Sequence, residues 1–434
     1  MATLCSGSNV AFLAMLTLTI AVGVGSAENL FDVERDAEKQ RWLKEVVNKN
    51  FGSQRCIFKE MVSMGDTHAR CSVHGDNLCE IPSASAGPFL VTCGFSCKDI
   101  SKANPNHKHF KHGVRNKEGN TAATLLGFIE YCKYHKPPIG VAENVVEFVA
   151  LGSSNWSEFT KLFFEVGYAV KYVVLDAARW VPQRRRRVYI LLIRWAFFGL
   201  RFEEAVALLG QMLETAKSLA FDEPIAWTNI MLAAKHQRTK AELKELMEIA
   251  AKRKHDKADV MWPDKLLTEM TKAGISYSSL QQSPLWKNPW FKTMLPREQM
   301  TLLKTLAEAP CAETIDTSQT ITRIPKSSVA SSSSAGQVGE DDTDEGGVHL
   351  CSTLLTGSGI WKKTESRLFL GWEACSLQCI PCAALPGSMQ MSRRLLCYLA
   401  GDAFCGAAFS AVVIGIFTHL PDIPLSPDFR TTRT

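Results

Sequence analysis

Several things are scarce or missing in this sequence. Its most apolar stretch near the C-terminus, Ala403 to Phe417, is too short for a membrane span and is interrupted by glycines. No lysine or arginine precedes Arg35, so the apolar run from Ala11 to Gly25 lacks the basic flank of a secretion signal, although Gly25-Ser26-Ala27 has the look of a cleavage site. The same stretch also reads as part of a strand, glycine turn and buried helix. Fourteen cysteines are too dilute and irregular for a disulfide scaffold, which favours a reducing compartment. Cys56, His68, Cys71, His74 and Cys79 make a zinc site conceivable, but their loose spacing, with no close CxxC pair to anchor it, argues against a metal there. The one CxxC, Cys379 to Cys382, has no partner pair. A net charge of +5 is no extreme of either sign; it permits a nucleic-acid partner without requiring one.

What remains is an ordinary globular composition, 46% hydrophobic and 21% charged over 434 residues. That length suits one large domain with a satellite, or two domains. Met1 to Cys5 reads as a strand, Ser6-Gly7-Ser8 as a turn and Val10 to Val24 as a helix. Leu30 to Glu34 is a second strand ending in an acid, and Ala37 to Asn48 a second helix. Strand, glycine turn, helix, strand and acid is the layout of a nucleotide-type cofactor site: the glycine admits the ligand, and the acid accepts from ribose hydroxyls. Only Gly7 of a glycine-rich pattern is present, and Asn9 stands where a second glycine would fall. His74-Gly75-Asp76 reads as the end of a third strand or its turn.

The apolar run Pro88 to Cys93 reads as a buried parallel strand, followed by a glycine turn and Cys97 at the mouth of the sheet, where open α/β sheets keep their ligands. Lys98, Lys102, Lys108, Lys111, Arg115 and Lys117 follow in a loop able to lie against a phosphate backbone. Taken alone, a cysteine here is also a small apolar residue ending a core strand. A helix from Asn120 to Tyr134 leads to Ile139–Ala142, a short strand delivering Glu143, which is either a solvated turn residue or a site residue. After a helix (Trp156 to Val166) and a strand (Tyr168 to Leu175), Gln183 and Arg184 to Arg187 run into the apolar Val188 to Ile193. Alternate arginines must therefore point to opposite faces. Helical periodicity dominates from Trp195 to Ala309, a serine and acidic stretch fills 327–347, and two helical pieces surround Leu399 to Phe404.

Taken together, Gly94-Phe95-Ser96-Cys97, Glu143-Asn144-Val145, the Gln183-x-Arg185-x-Arg187 pattern and Ala400-Gly401-Asp402-Ala403-Phe404 resemble the DNA (cytosine-5) methyltransferases. The resemblance covers about residues 1 to 195 and 350 to 418. It implies an α/β fold, a Rossmann-like S-adenosylmethionine-dependent methyltransferase sheet with helices on both faces, plus a smaller mainly helical or irregular domain. It also implies a division into 1–195 (catalytic and cofactor-binding), 196–325 (target recognition), 326–348 (flexible linker), 349–418 (returning to the catalytic domain) and 419–434 (tail). Cys97 would be the nucleophile, with Glu143, Arg185 and Arg187 around the base. Cys5, Gly7, Glu34, Asp76 and Asp402 would hold S-adenosylmethionine. Lys98, Lys102, Lys108, Lys111, Arg115 and Gln183 would contact double-stranded DNA bearing a flipped cytosine, in the nucleus, with no metal and no membrane.

Four positions depart from that family's pattern: Asn9 replaces a glycine, Ser96 a proline, Lys98 a glutamine and Asp402 an asparagine. A lysine beside Cys97 favours the thiolate, whereas a carboxylate at 402 is a candidate for weakening the enzyme. A non-catalytic DNA-binding relic and an RNA cytosine methyltransferase are the readings that compete with DNA methyl transfer.

Overall fold

Seven strands lie in the order β3-β2-β1-β6-β7-β9-β8 and form the centre of the chain. They are β1 (Ala2–Leu4), β2 (Phe31–Val33), β3 (Cys56–Phe58), β6 (Leu90–Cys93), β7 (Ile139–Val145), β8 (Tyr168–Asp176) and β9 (Arg186–Arg194). All neighbours from β3 to β7 run parallel, while β9 is antiparallel to both β7 and β8. The computed structural model describes all residues except 24–26, 52–54, 83–88, 103, 111, 152, 254–267, 269–270, 272–281, 309–311, 318–349, 356–358 and 421–434. The linker expected at 326–348, most of the 419–434 tail and Lys111 therefore lie outside the described residues.

Two-residue periodicity in β9 explains why helices cover both faces. Val188, Ile190 and Leu192 enter one core with α3 (Gly113–Asn116), α4 (Gly119–His135) and α5 (Ser154–Glu165). Tyr189, Leu191 and Ile193 enter the other, with α1 (Val10–Ala21), α6 (Phe202–Ser218) and a C-terminal helix, Gly406–His419. The apolar run near the N-terminus is thus a core helix, its Ala11, Phe12, Leu13 and Ala14 buried. Its second side meets Trp42, Val46 and Val47, on the segment formed by α2 (Ala37–Trp42) and the π-helical Leu43–Asn48, and Leu395 and Leu399 from the C-terminal region. Among the described residues no single helix is long and apolar enough to cross a membrane.

The C-terminal helix Gly406–His419 packs against the sheet, and α6 joins it there. α6 packs on β8, β9 and Gly406–His419, so the helical layer on this face of the sheet continues beyond residue 195. A switch from strand to helical periodicity marks a change of layer here, which sequence alone does not separate from a change of domain. The smaller unit is built on α7 (Gln237–Arg253), α8 (Pro289–Thr293), α9 (Pro296–Glu308) and the antiparallel strands β10 (Thr314–Asp316), β11 (Ile360–Lys362) and β12 (Arg367–Leu368). A buried Arg238–Glu242 pair ties α7 to the C-terminal region, Arg238 donating also to the Met389 and Met391 carbonyls. Three more α-helices follow among the described residues: α10 (Gly371–Ser376), α11 (Arg393–Asp402) and α12 (Gly406–His419).

The third strand falls earlier than expected. It is Cys56–Phe58, whereas His74-Gly75-Asp76 turns a separate antiparallel hairpin of β4 (His68–Arg70) and β5 (Leu78–Glu80). Gly75 and Asp76 both sit at φ 65°, the left-handed geometry of a tight turn rather than of a strand.

α12 and α6 approach closely at Gly415, where an added Cβ would overlap the Met212 carbonyl oxygen. Alanine gains about 1 kcal/mol of helix propensity over glycine. Forcing two backbones apart costs about 1–3 kcal/mol. Gly415→Ala is therefore expected to lower the thermal midpoint, and an unchanged or raised midpoint in a melting experiment contradicts this packing.

Candidate active site

The loop after β1 carries three left-handed residues, Cys5 (φ 53°), Gly7 (φ 52°) and Asn9 (φ 58°). Asparagine is among the few side chains that tolerate this region. Here it gains further support: Asn9 Oδ1 accepts from Thr3 Oγ1 (3.0 Å), and its Nδ2 donates to Asp32 (2.9 Å). The departure from glycine at position 9 is thus accommodated. Glu34, just past β2, accepts from the Gly7 N–H (2.8 Å) and the Asp36 N–H (2.8 Å), and burial raises its carboxyl above the ordinary range. A Cβ built at Gly7 would meet nothing closer than the Cys5 carbonyl at 4.0 Å, so the backbone there is open to approach. An open left-handed glycine facing a carboxylate fits the ribose end of a nucleoside cofactor.

The loop from Gly94 to Asp99, which carries Cys97, leaves β6 and is fastened on several sides. Phe95 is buried against Phe148 (5.0 Å between centroids) and Phe159, and its carbonyl accepts from Asn144 Nδ2 (2.9 Å). The Ser96 N–H donates to Thr124 Oγ1 (3.0 Å), a bond that proline could not make. Serine at 96 thus exchanges ring rigidity for an anchor to α4. Asp99, buried, accepts from the Thr121 N–H at the start of α4 (2.7 Å). Thr124 and Asp99 were not singled out from the sequence; a hydroxyl and a carboxylate in such positions carry no local signature.

Glu143 sits near the carboxyl end of β7 and Arg187 near the start of antiparallel β9, so both reach the same edge of the sheet. Register pairs Val145 with Arg187, and residues 143 and 145 share a face, which aims both charged side chains at one place. Arg187 Nε lies 3.2 Å from Glu143 Oε1, with the side chains 13% and 12% exposed. A Cβ at Gly94 would lie 3.9 Å from both Glu143 Oε2 and the Cys5 carbonyl, placing the carboxylate beside the nucleophile and cofactor loops. Cys97 is half-buried and within electrostatic reach of Glu143, Arg187, Asp402 and Arg185. Burial raises its thiol, Glu143 raises it further, and Arg187 opposes them. Burial likewise raises the Glu143 carboxyl, against the pull of Arg187. Lys98 is exposed, and the cation acting on the thiol is Arg187.

The arginines alternate as the strand period requires: Arg184 and Arg186 are exposed, Arg185 is buried and Arg187 nearly so. Arg185, expected at the base, has another task. Its Nη1 donates to the Leu354 carbonyl (3.0 Å) and its Nη2 to those of Gly401 (3.0 Å) and Ala403 (2.6 Å). Burial, and then Arg187, lower its pKa to about 10. It fastens the C-terminal segment to the sheet. Gln183, expected on nucleic acid, is fully buried and accepts from Gln378 Nε2 (2.7 Å), so it is not available to a duplex. A strand-edge position between Pro182 and four arginines looks exposed in sequence; the returning segment covers it.

Asp402 is ion-paired with Lys39, whose ammonium also lies 4.3 Å from the Tyr398 ring centre. Lys39 was missed because it belongs to a helix that reads as ordinary. Asp76 is ion-paired with Lys59 (2.5 Å) at the exposed hairpin tip. Lys98, Lys102, Lys108 and Arg115 are all exposed, Lys102 3.4 Å from Glu147. Separately, Cys56, Cys71, His74 and Cys79, loosely spaced in sequence, are brought together in space.

A mainly parallel sheet with one antiparallel strand and helices on both faces, a glycine turn and acid after its first two strands, and a cysteine, glutamate and arginine near its carboxyl edge give a Rossmann-like α/β fold with a candidate active site at that edge. The chain belongs to the C-5 cytosine-specific DNA methylase family, whose model matches residues 20–385. It is 26% identical over 195 residues to the DNA (cytosine-5-)-methyltransferase DMT5 of Cryptococcus neoformans var. grubii, a match covering 44% of this chain and 7% of that much longer protein. The crystal structure of the S. pombe Dnmt2 methyltransferase aligns over 97% of this chain and 98% of its own, at 11% identity and a TM-score of 0.46.

Proposed function

We propose that this chain methylates carbon 5 of cytosine in DNA, through a covalent adduct between Cys97 and a base turned out of the duplex. The observation that carries this reading is the convergence of Cys97, Glu143 and Arg187 beside the Gly7–Glu34 loop. A base inside a duplex cannot be reached at its ring carbons, so it must be extruded into such a site. The Cys97 thiolate adds to carbon 6, forming the S–C bond and moving the ring electrons towards carbon 5. Glu143, its carboxyl raised by burial, can donate a hydrogen bond to ring nitrogen 3 as charge develops there. Arg187 holds the Glu143 carboxylate and is placed to reach the base carbonyl. S-adenosylmethionine, when bound, would supply a sulfonium-activated methyl group to carbon 5 and be left as the thioether S-adenosylhomocysteine. Loss of the carbon 5 proton to a base and departure of Cys97 restore the ring and the free enzyme. Cys5, Gly7, Glu34 and the Lys39–Asp402 pair are the groups we assign to the cofactor, with Asp76 as a candidate for its adenine. The exposed Lys98, Lys102, Lys108 and Arg115 would face phosphates, with nuclear DNA as the substrate.

Methyl transfer from labelled S-adenosylmethionine to a duplex DNA and to an RNA of the same sequence tests this. Label at carbon 5 of cytosine in the DNA is expected; label confined to RNA contradicts the choice of substrate, and label on neither contradicts the enzyme.

The electrostatics add a pH dependence. Since burial holds Cys97 above its ordinary thiol value, the protonated form dominates at neutral pH. Adduct formation should rise with pH as the thiol ionises, and Arg187→Gln, which removes the larger of the two arginine contributions that oppose burial at the thiol, should move that rise to higher pH. Rates of adduct formation across the neutral range check it; a flat profile or a downward move contradicts it.

A further inference from the structure

We infer that Cys56, Cys71, His74 and Cys79 form a structural zinc site. The four ligand atoms lie within 4.8 Å of one another. His74 Nδ1 is 3.6, 3.4 and 3.3 Å from the sulfurs of Cys56, Cys71 and Cys79. With Zn–S bonds of about 2.3 Å and Zn–N bonds of about 2.1 Å, a tetrahedron sets each S···N separation at roughly 3.6 Å. Three thiolates and one imidazole are a zinc donor set, and four protein ligands leave no open position, so the metal is structural rather than catalytic. None of the three cysteines is in a disulfide.

The local sequence supplies the geometry. The close pair is Cys71-Ser72-Val73-His74, a cysteine and a histidine two residues apart, which a search for paired cysteines passes over. The two left-handed residues Gly75 and Asp76 then reverse the chain, so that β5 returns Cys79 opposite Ala69 on β4. His68, exposed on β4, is turned away and contacts Thr67 Oγ1 (3.1 Å). Three thiolates on Zn2+ leave the cluster one unit negative, and basic groups stand around it: Lys44 Nζ donates to the Ser72 carbonyl between two ligands (2.6 Å), and Lys59 pairs with Asp76.

The position gives the metal its use. β3 is the last strand on its side of the seven-stranded sheet, an edge that needs a cover. The Cys71 segment lies along that edge: Ser72 N–H donates to the Ile57 carbonyl (2.9 Å), Lys59 N–H to the Arg70 carbonyl (3.2 Å), and Phe58 bridges Cys71. A hairpin of two three-residue strands is marginal by itself. Zinc bonded to Cys56 on the edge strand and to three hairpin residues clamps one onto the other and fixes Asp76 between the last two ligands.

Elemental analysis of the full chain purified under reducing conditions tests the site, with cobalt(II) substitution as the second readout. One zinc per chain is expected, and the cobalt form should show tetrahedral d–d bands with thiolate charge transfer. Cys71→Ser should lose the metal, His74→Cys should retain it with an altered cobalt spectrum, and Cys132→Ser, buried elsewhere, should keep it unchanged. A folded, reduced, metal-free wild-type chain, full zinc retention in Cys71→Ser, or a cobalt spectrum without thiolate bands would overturn the assignment. The readouts are independent of methyl transfer, so an inactive enzyme leaves this test intact.

Discussion

Cys97→Ser is expected to lower methyl transfer to DNA by roughly three or more orders of magnitude while the protein keeps its fold. The serine hydroxyl is a far weaker nucleophile than a thiolate, and loss of the attacking atom removes the step on which the others depend. The loop itself does not rely on the sulfur. It is held by Phe95 in its aromatic cluster, by the Ser96 N–H on Thr124 and by Asp99 at the start of α4. The circular-dichroism melt should therefore be close to that of the parent. Residual turnover above a few per cent in purified Cys97→Ser would assign the chemistry to another group.

The second large effect separates two arginines that sequence treats alike. Arg187→Ala should remove most activity with a modest change in stability, because the Glu143 carboxyl it leaves behind is already pushed towards its neutral form by burial. Arg185→Ala should instead cost about 3–5 kcal/mol of stability. It strands the buried carbonyl oxygens of Leu354 and Ala403 and the half-buried one of Gly401, and frees the C-terminal segment from the sheet. Arg185→Lys should rescue little, since a compact ammonium cannot reproduce the forked donors of a guanidinium. Chemical denaturation and activity measured on the same preparations decide the matter: an Arg185→Ala protein of parental stability but no activity would return Arg185 to the base.

The elements with strong periodicity were legible from the sequence. Val188 to Ile193 and the helix at Gly119–His135 follow their patterns nearly residue for residue, and both helical pieces around Asp402 are present. The placement of Cys97 just past β6 followed from an apolar run that stops at a turn, whereas β7 runs on through Glu143 to Val145, beyond the end expected at Ala142, because β9 pairs with it that far. Less was legible where long-range contacts decide. Gln183 and Arg185 look like an exposed basic edge until a segment some two hundred residues later covers them. Lys39 meets Asp402 across 363 positions, a pairing no local pattern records. β3, only Cys56–Phe58, is too short to show a period; His74–Asp76 reads in sequence as the end of a third strand or its turn, and it is the turn of a separate hairpin.

The departures from the family pattern also acquire physical meanings. Asn9 replaces glycine and keeps the left-handed turn through bonds to Thr3 and Asp32. Ser96 replaces proline and gains an N–H anchor. Asp402 introduces a carboxylate and neutralises it with Lys39. These three substitutions each come with a compensating contact, whereas Lys98 is simply exposed.

The most direct test of the convergence of Cys97, Glu143 and Arg187 is covalent trapping. The protein is incubated with S-adenosylmethionine and a duplex carrying 5-fluorocytosine, which has no removable proton at carbon 5, and the complex is digested for peptide mass spectrometry. The prediction is a stable protein–DNA adduct whose modified peptide contains Cys97, formed only by protein with that cysteine. No adduct at saturating cofactor, or an adduct mapped to a different residue, would contradict the account.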